Sequence, residues 1–234
     1  MPASLGRAAD SETACAKINL ALHVRQRLPD GYHRIETIFA FLDQGDELSV
    51  HPGDDLKLTI GGRFAAGLDD KDNLVLQAAD RLAAVSGGQR GAHLHLEKRL
   101  PVASGIGGGQ DLAPVPDDGL RHHTALLVNP LVPVSTAQIF ASWDGIDRGG
   151  LADGQVLTVA LAGRNDLQKP AVALVPILTG VLNALEHCDP VMARMSGSGA
   201  TCFALFDSAE AADKAEQYCR WALGDIWTMT GRFR

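Results

Sequence analysis

The sequence predicts an α+β fold. Runs rich in β-branched and aromatic residues mix with amphipathic helical stretches, but not in regular strand–helix–strand repetition, which argues against a doubly wound sheet. The 234 residues are 46% hydrophobic and 21% charged, ample material for one large domain or two small ones. No internal repeat or low-complexity segment breaks the pattern.

Residues 1–13 are polar or small and are expected to fray. Asp10 and Glu12 with no apolar stretch do not look like a secretory signal. From Ala14 to Val24, Ile18, Leu20 and Leu22 share one face while Lys17, Asn19 and His23 share the other, which reads as a strand with one polar face. Pro29-Asp30-Gly31 signals a turn. Strands are expected over Ile35 to Leu42, Asp46 to His51 and Leu56 to Ile60. Helical spacing of Leu74, Val75, Ala78 and Leu82 predicts a helix over Asp72 to Val85, stopped by Gly87-Gly88. Ala92 to Leu96 alternates as a strand.

In the second half, Thr124 to Val128 reads as a strand ending at Asn129-Pro130. Ser135 is a helix N-cap for a run to Trp143. Residues 144–155 read as a loop, and Asn165 to Leu185 as a helix interrupted at Pro170 and Pro176. Arg194 to Gly199 reads as a glycine turn, Thr201 to Phe206 as a strand, Ser208 to Trp221 as a capped amphipathic helix and Ile226 to Thr230 as a strand. The boundary between two lobes is placed within Pro114 to His123, giving lobes of 1–123 and 124–234.

The net charge of −7 disfavours broad binding to nucleic acid or to anionic membranes. No apolar run approaches the length of a membrane span, and Cys15, Cys188, Cys202 and Cys219 form no CxxC pair. A cytoplasmic protein without disulfides or a zinc site is expected. His93 with His95, and His122 with His123, lack further ligands at recognisable spacing, so no protein-held metal is expected.

The chemistry-bearing segment is Pro101, Val102, Ala103, Ser104, Gly105, Ile106, Gly107, Gly108 and Gly109, following Lys98-Arg99. Backbone without Cβ can curl and direct several N–H groups at one anion, which makes a phosphate cradle. Tight turns alone also explain many glycine clusters, so the loop by itself leaves both readings open. No Gly-Lys pair for a Walker A loop is present, and Gln110 stands where a dinucleotide fingerprint needs glycine. No His-Arg-Asp or Asp-Phe-Gly of protein kinases occurs. Ser196 and Ser198 sit in an order read as helix, turn, strand, which does not fit a hydrolase nucleophile elbow.

Ala16-Lys17-Ile18-Asn19-Leu20, Asp30-Gly31-Tyr32-His33, Thr37-Ile38-Phe39 and the glycine loop together resemble the GHMP kinase superfamily. Val128-Asn129-Pro130, Thr136 to Phe140, Asn165-Asp166-Leu167 and Met195 to Ala200 continue the resemblance in order. Asp-Gly-Tyr-His narrows it to the branch that phosphorylates a cytidylated methylerythritol. The resemblance implies a two-lobed α+β architecture, with an N-terminal lobe of ribosomal-protein-S5-like type and a ferredoxin-like C-terminal lobe. It implies ATP-dependent phosphorylation of a hydroxyl of 4-diphosphocytidyl-2-C-methyl-D-erythritol in non-mevalonate isoprenoid biosynthesis, with Mg2+, by a monomer or homodimer. Pro101 to Gly109 would wrap the ATP phosphates, and Lys17 would offset charge at the transferring phosphate. Asn19, Tyr32, His33, Phe39, Thr136 and Phe140 would form the cytidine-diphosphate pocket, the aromatics offering stacking faces.

One departure stands out. Members of this superfamily follow the glycine loop with an alanine-rich helix and, later, a Gly-Ala-Asp-Val-Pro motif holding the catalytic aspartate. Here Gln110-Asp111-Leu112-Ala113-Pro114 follows Gly109 directly, so a block of sequence is missing between Gly109 and Gln110 by that comparison. Two explanations fit. Residues of a longer, active kinase are left out, or the deletion is real and the protein is an impaired binder of nucleotide or of a cytidine-diphosphate ligand. Asp111 is a poor surrogate base, because its context matches a different segment.

Overall fold

The computed structural model describes residues 10–69, 73–87, 91–102, 113–115 and 119–234. Strands β1 (Asp10–Arg27), β2 (His33–Pro52), β3 (Leu56–Gly61) and β4 (Ala92–Glu97) form one sheet in the order β1-β2-β4-β3. Strands β5 (Thr124–Asn129), β6 (Met192–Met195), β7 (Cys202–Phe206) and β8 (Trp227–Arg232) form a second sheet, ordered β6-β7-β5-β8, with antiparallel pairing throughout. Helices are α1 (Leu74–Ser86), α2 (Thr136–Ala141), α3 (Val156–Ala162), α4 (Gln168–Leu174), α5 (Ile177–Glu186) and α6 (Ala209–Leu223). Two separate sheets with helices between their strands make the fold α+β, as the sequence predicts. Among the described residues no helix is long and apolar enough to cross a membrane.

By contacts the chain divides into a unit of Met1–Cys15 with Gly45–Val102 and a unit of Ala16–Gln44 with Ala103–Arg234. In the first, β2 pairs antiparallel with β4, and β3 pairs parallel with β4. Asn73 caps α1 through its side-chain oxygen, which accepts from the Val75 N–H at 2.9 Å, and Gly87 ends the helix at a φ of +61°. Asp46 ties the end of β4 together. Its carboxylate accepts from Lys98 Nζ (2.5 Å) and from the backbone N–H groups of Arg99 (2.7 Å) and Leu100 (2.8 Å).

The second unit holds the large core. Leu22 and Val24 of β1, Leu126 and Val128 of β5, and Cys202, Ala204 and Phe206 of β7 pack with Leu178, Val181 and Leu185 of α5 and with Ala212, Ala215 and Cys219 of α6. Every residue of β5 and of β7 is buried, so these strands read as continuous apolar runs rather than alternating ones.

Several expectations need correction. Asp10 to Thr13 belong to β1 rather than to a frayed end. The two strands expected over 35–42 and 46–51 are one strand, β2. The helical run expected over 165–185 begins only at Gln168 and breaks once, into α4 and α5 at Val175-Pro176 as expected, where a proline ring disfavours helical geometry in the residue before it, and not at Pro170. Pro170 lies inside the first turn of α4, where its missing N–H costs nothing. Residues 156–162 form α3, which the sequence does not signal because Gln155 makes no side-chain capping bond. Arg194 belongs to β6, so the order around Ser196 is strand, turn, strand. This order also opens no helix after the serine, and the nucleophile-elbow reading stays rejected. On the polar face of β1, Asn19 and His23 are buried, like Ile18 and Leu20 on the apolar face.

Candidate active site

The second unit gathers most of the candidate residues, and β1 supplies the first of them. Lys17 is half-buried, with Nζ 5.1 Å from the centre of the Phe39 ring in β2, a cation–π geometry. Burial pulls its pKa below the ordinary lysine value. Phe39 in turn meets Phe41 edge-on at 5.7 Å. Two residues along β1, Asn19 is buried and hydrogen-bonded through both its backbone and its amide. Its backbone N–H donates to Ser196 Oγ (3.0 Å), and its Nδ2 donates to Thr37 Oγ1 (2.8 Å), which donates onward to the Ala21 carbonyl (2.6 Å).

A second cluster lies at the other end of the hairpin that joins β1 and β2. Gly31 takes a φ of +88°, which an L side chain rarely adopts, and Asp30 Oδ1 accepts from the Tyr32 N–H (3.0 Å). Tyr32 is 74% exposed, and among the described residues its ring stacks on no other. His33 meets Phe140 of α2 at 5.0 Å, tilted, and Trp143 at 5.8 Å, edge-on. Arg27 Nε donates to His33 Nε2 (3.3 Å), which leaves the ring proton on Nδ1. Burial and the neighbouring Arg27 guanidinium hold the His33 pKa below its ordinary value, so the ring is a neutral donor near pH 7.

The Ser196–Gly199 turn links two of the expected residues. Ser196 accepts from Asn19, and Ser198 Oγ lies 2.9 Å from Thr136 Oγ1 at the start of α2. Lys17 thus pairs with Phe39, His33 pairs with Phe140, and Asn19 and Thr136 meet the same turn. Pro101 is buried and Val102 is exposed, while Ala103 to Gly109 and Asp111 lie outside the described residues.

Sequence reasoning missed the surroundings of His33, above all Arg25, Arg27 and Trp143. Arg25, Gln26, Arg27, Trp143, Asp144 and Gly145 line a cavity of about 390 Å³. Arg25 is spent on Glu36 and Asp147, whereas Arg27 donates to the Ala141 (3.2 Å) and Trp143 (3.4 Å) carbonyls. Among the described residues the buried indole Nε1 of Trp143 has no hydrogen-bond partner. The available signal was the placement of Trp143 three residues after Phe140, one turn on along the same helical stretch.

Comparisons with known proteins bear on this geometry. Residues 155–222 match the family described as GHMP kinases C terminal. The 4-diphosphocytidyl-2-C-methyl-D-erythritol kinase of Rhizorhabdus wittichii is 41% identical over 278 residues, spanning 96% of this chain and 94% of the relative. The chain belongs to the 4-diphosphocytidyl-2-C-methyl-D-erythritol kinase family. The enzyme of the same name from Novosphingobium aromaticivorans is 40% identical over 95% of this chain and 92% of its own. Both alignments are longer than the 234 residues of this family member, so each relative carries residues with no counterpart here. Among solved structures, a 4-(cytidine 5'-diphospho)-2C-methyl-D-erythritol kinase matches with a TM-score of 0.76 at 24% identity, over 95% of this chain and 99% of that one. A homoserine kinase from Cytophaga hutchinsonii matches with a TM-score of 0.69 at 14% identity, over 97% and 95%. These two matches place the family member in the GHMP kinase fold.

Proposed function

We propose that the protein is a small-molecule kinase that moves the γ-phosphoryl group of ATP to a hydroxyl of 4-diphosphocytidyl-2-C-methyl-D-erythritol, in isoprenoid precursor synthesis. The observation that carries this reading is 41% identity to a kinase of that name over nearly the full length of both chains. The assignment of roles goes further and is part of the proposal. Phosphoryl transfer depends on positioning and charge rather than on covalent chemistry. Lys17, held as an ammonium against the Phe39 ring, supplies positive charge to the transferring group. Asn19 and Thr136, which both meet the Ser196–Gly199 turn, belong to the cytidine-diphosphate pocket. His33 donates from Nδ1 to an acceptor on the cytosine edge, and Phe140 and Tyr32 offer ring faces to the base. Pro101 to Gly109 wrap the ATP phosphates, and the lobe division at residues 123 and 124, a cytoplasmic location and a monomeric or homodimeric state belong to the same reading.

Mg2+ accompanies ATP in this proposal. It is carried by the ATP phosphates, and among the described residues no group of three His, Cys, Asp or Glu side chains comes together to hold a metal.

The deciding experiment is a coupled assay of ADP release with purified protein, Mg-ATP and the cytidylated substrate. Substrate-dependent ADP release supports the kinase. No release, with the cytidylated ligand still bound in calorimetry, selects the second reading, an impaired binder on the same fold. The similarity to kinases favours the first reading; the second is motivated by the residues that the relatives carry and this chain lacks. Neither release nor binding removes both.

A further inference from the structure

We propose that Asn165 is a positioning residue, whose carboxamide fixes the Ser196–Gly199 turn and through it sets Asn19 and Thr136 for substrate. The inference rests on the kinase reading above and adds a residue to it. Asn165 is 8% exposed, and its side chain is fully used. Nδ2 donates to the Met195 carbonyl (2.7 Å) and to the Gly197 carbonyl (2.8 Å), and Oδ1 accepts from the Leu167 N–H (2.9 Å).

Its backbone is pinned as firmly as its side chain. The Leu22 N–H donates to the Arg164 carbonyl (2.8 Å), and the Asp166 N–H donates to the Leu22 carbonyl (2.9 Å), so residues 164–166 lie along β1 in a single parallel bridge. One residue further, Asp166 Oδ2 accepts from the Val24 N–H (2.8 Å). Asn165 therefore joins the strand that carries Lys17 to the turn that follows β6.

The turn leaves little freedom of its own. Gly199 has a φ of +88°, and a Cβ there would meet Met195 Sδ at 2.9 Å. Its two hydroxyls face opposite partners, Ser196 toward Asn19 and Ser198 toward Thr136. Two carbonyls on one side of the turn, at Met195 and Gly197, need a donor to hold them, and the Asn165 amide supplies both hydrogens. Without it the turn can relax, and Asn19 and Thr136 move with it. Displacement of about 1 Å at a positioning group costs on the order of 10²-fold in rate.

Asn165→Asp is the sharpest test. It keeps the shape and the bond to Leu167 but faces both carbonyls with oxygen. Ser196→Ala is the second variant, since it removes only the acceptor for the Asn19 N–H. Val181→Ala, a truncation in the core of the same unit, is the control for lost stability alone. Steady-state kinetics are measured well below each unfolding midpoint, and the dissociation constant for the cytidylated substrate is measured by calorimetry. The expected result is a rise of about tenfold or more in KM or in that dissociation constant for Asn165→Asp, and a smaller rise for Ser196→Ala, with the KM for ATP little changed. Val181→Ala lowers the midpoint and leaves both constants at wild-type values. If Asn165→Asp does not fold, Ser196→Ala decides. Wild-type constants in the folded variants overturn the inference while the kinase reading stands. Wild-type protein that neither turns over nor binds overturns the kinase reading, and this inference with it.

Discussion

The two units differ in how they are held together. The unit built around β5 and β7 buries whole strands and holds a paired polar network: Asn19, Asn129, Asn165 and Asp166 are all buried and hydrogen-bonded. In the unit of Met1–Cys15 and Gly45–Val102, the described buried apolar side chains are few, with Leu94 and Leu100 the clearest. None of the α1 side chains described there is buried. Leu74, Leu82 and Val85, spaced along one face of the helix, are 78%, 66% and 83% exposed. An apolar face left in water contributes nothing to stability until something covers it. The lesson is that one unit is specified by its packing and its buried network, while the other rests on strand pairing and on a few polar ties such as Asp46.

The largest expected effect tests that contrast directly. Phe203 in β7 is fully buried, and Phe203→Ala should cost about 3–5 kcal/mol. Leu82→Ala on α1 should stay within about 0.5 kcal/mol. Urea denaturation of both variants reads the difference, and equal costs would show the α1 face to be covered in solution. Next in size, Lys17→Met should lower kcat by about 10²–10³-fold, the usual loss when one charge-stabilising group is removed. Calorimetry should show the cytidylated ligand still bound, since His33 and Phe140 are untouched. A variant with wild-type kcat would remove Lys17 from the mechanism.

The third effect belongs to the thinner unit. Asp46→Ala strips the acceptor from Lys98 and from two backbone N–H groups directly before Pro101, at a cost of about 1.5–3 kcal/mol. Because the glycine-rich segment begins there, the KM for ATP should rise while the KM for the cytidylated substrate holds. A rise in both constants together would contradict a local role for Asp46.

The sequence made part of this legible. The strand β4 follows from alternation, β5 from a short apolar run ended by Asn129-Pro130, and the helices α1 and α6 and the caps at Ser135 and Ser208 from helical spacing and capping residues. The helix α3 and the short strand β6 do not, because seven and four residues carry too little periodicity to separate strand from helix. The candidate site was readable as a set of types in order, Lys17 and Asn19 first and Phe140 later. Its connections were not. Asn19 meets Ser196 across 177 positions of sequence, and no local pattern encodes that contact. For the same reason the sequence does not show what the polar residues of β1 bond to: the partners of Asn19 and His23 lie in distant segments.

The smallest effect is a pH dependence built into that buried network. His23 is 3% exposed, with Nδ1 at 3.1 Å from the Gly149 carbonyl and Nε2 accepting from the Arg164 N–H at 3.2 Å. Both bonds require a neutral ring with its proton on Nδ1. Burial lowers its pKa most, and the Arg164 guanidinium lowers it further, against the opposing pull of the Gly149 carbonyl and of Asp166. With the folded value below about 6.5, the folded state binds fewer protons than the unfolded one. Stability is therefore full above that pH and falls as the solution is acidified toward the folded pKa, by at most about 1.4 kcal/mol per pH unit for one proton. His33 shifts in the same direction and adds to the slope. Urea midpoints between about pH 5 and 7.5 should decline toward acid in the wild type and decline less in His23→Gln. The same slope in both proteins would mean that His23 takes up its proton without loss, and that the buried network of the larger unit is looser than its geometry indicates.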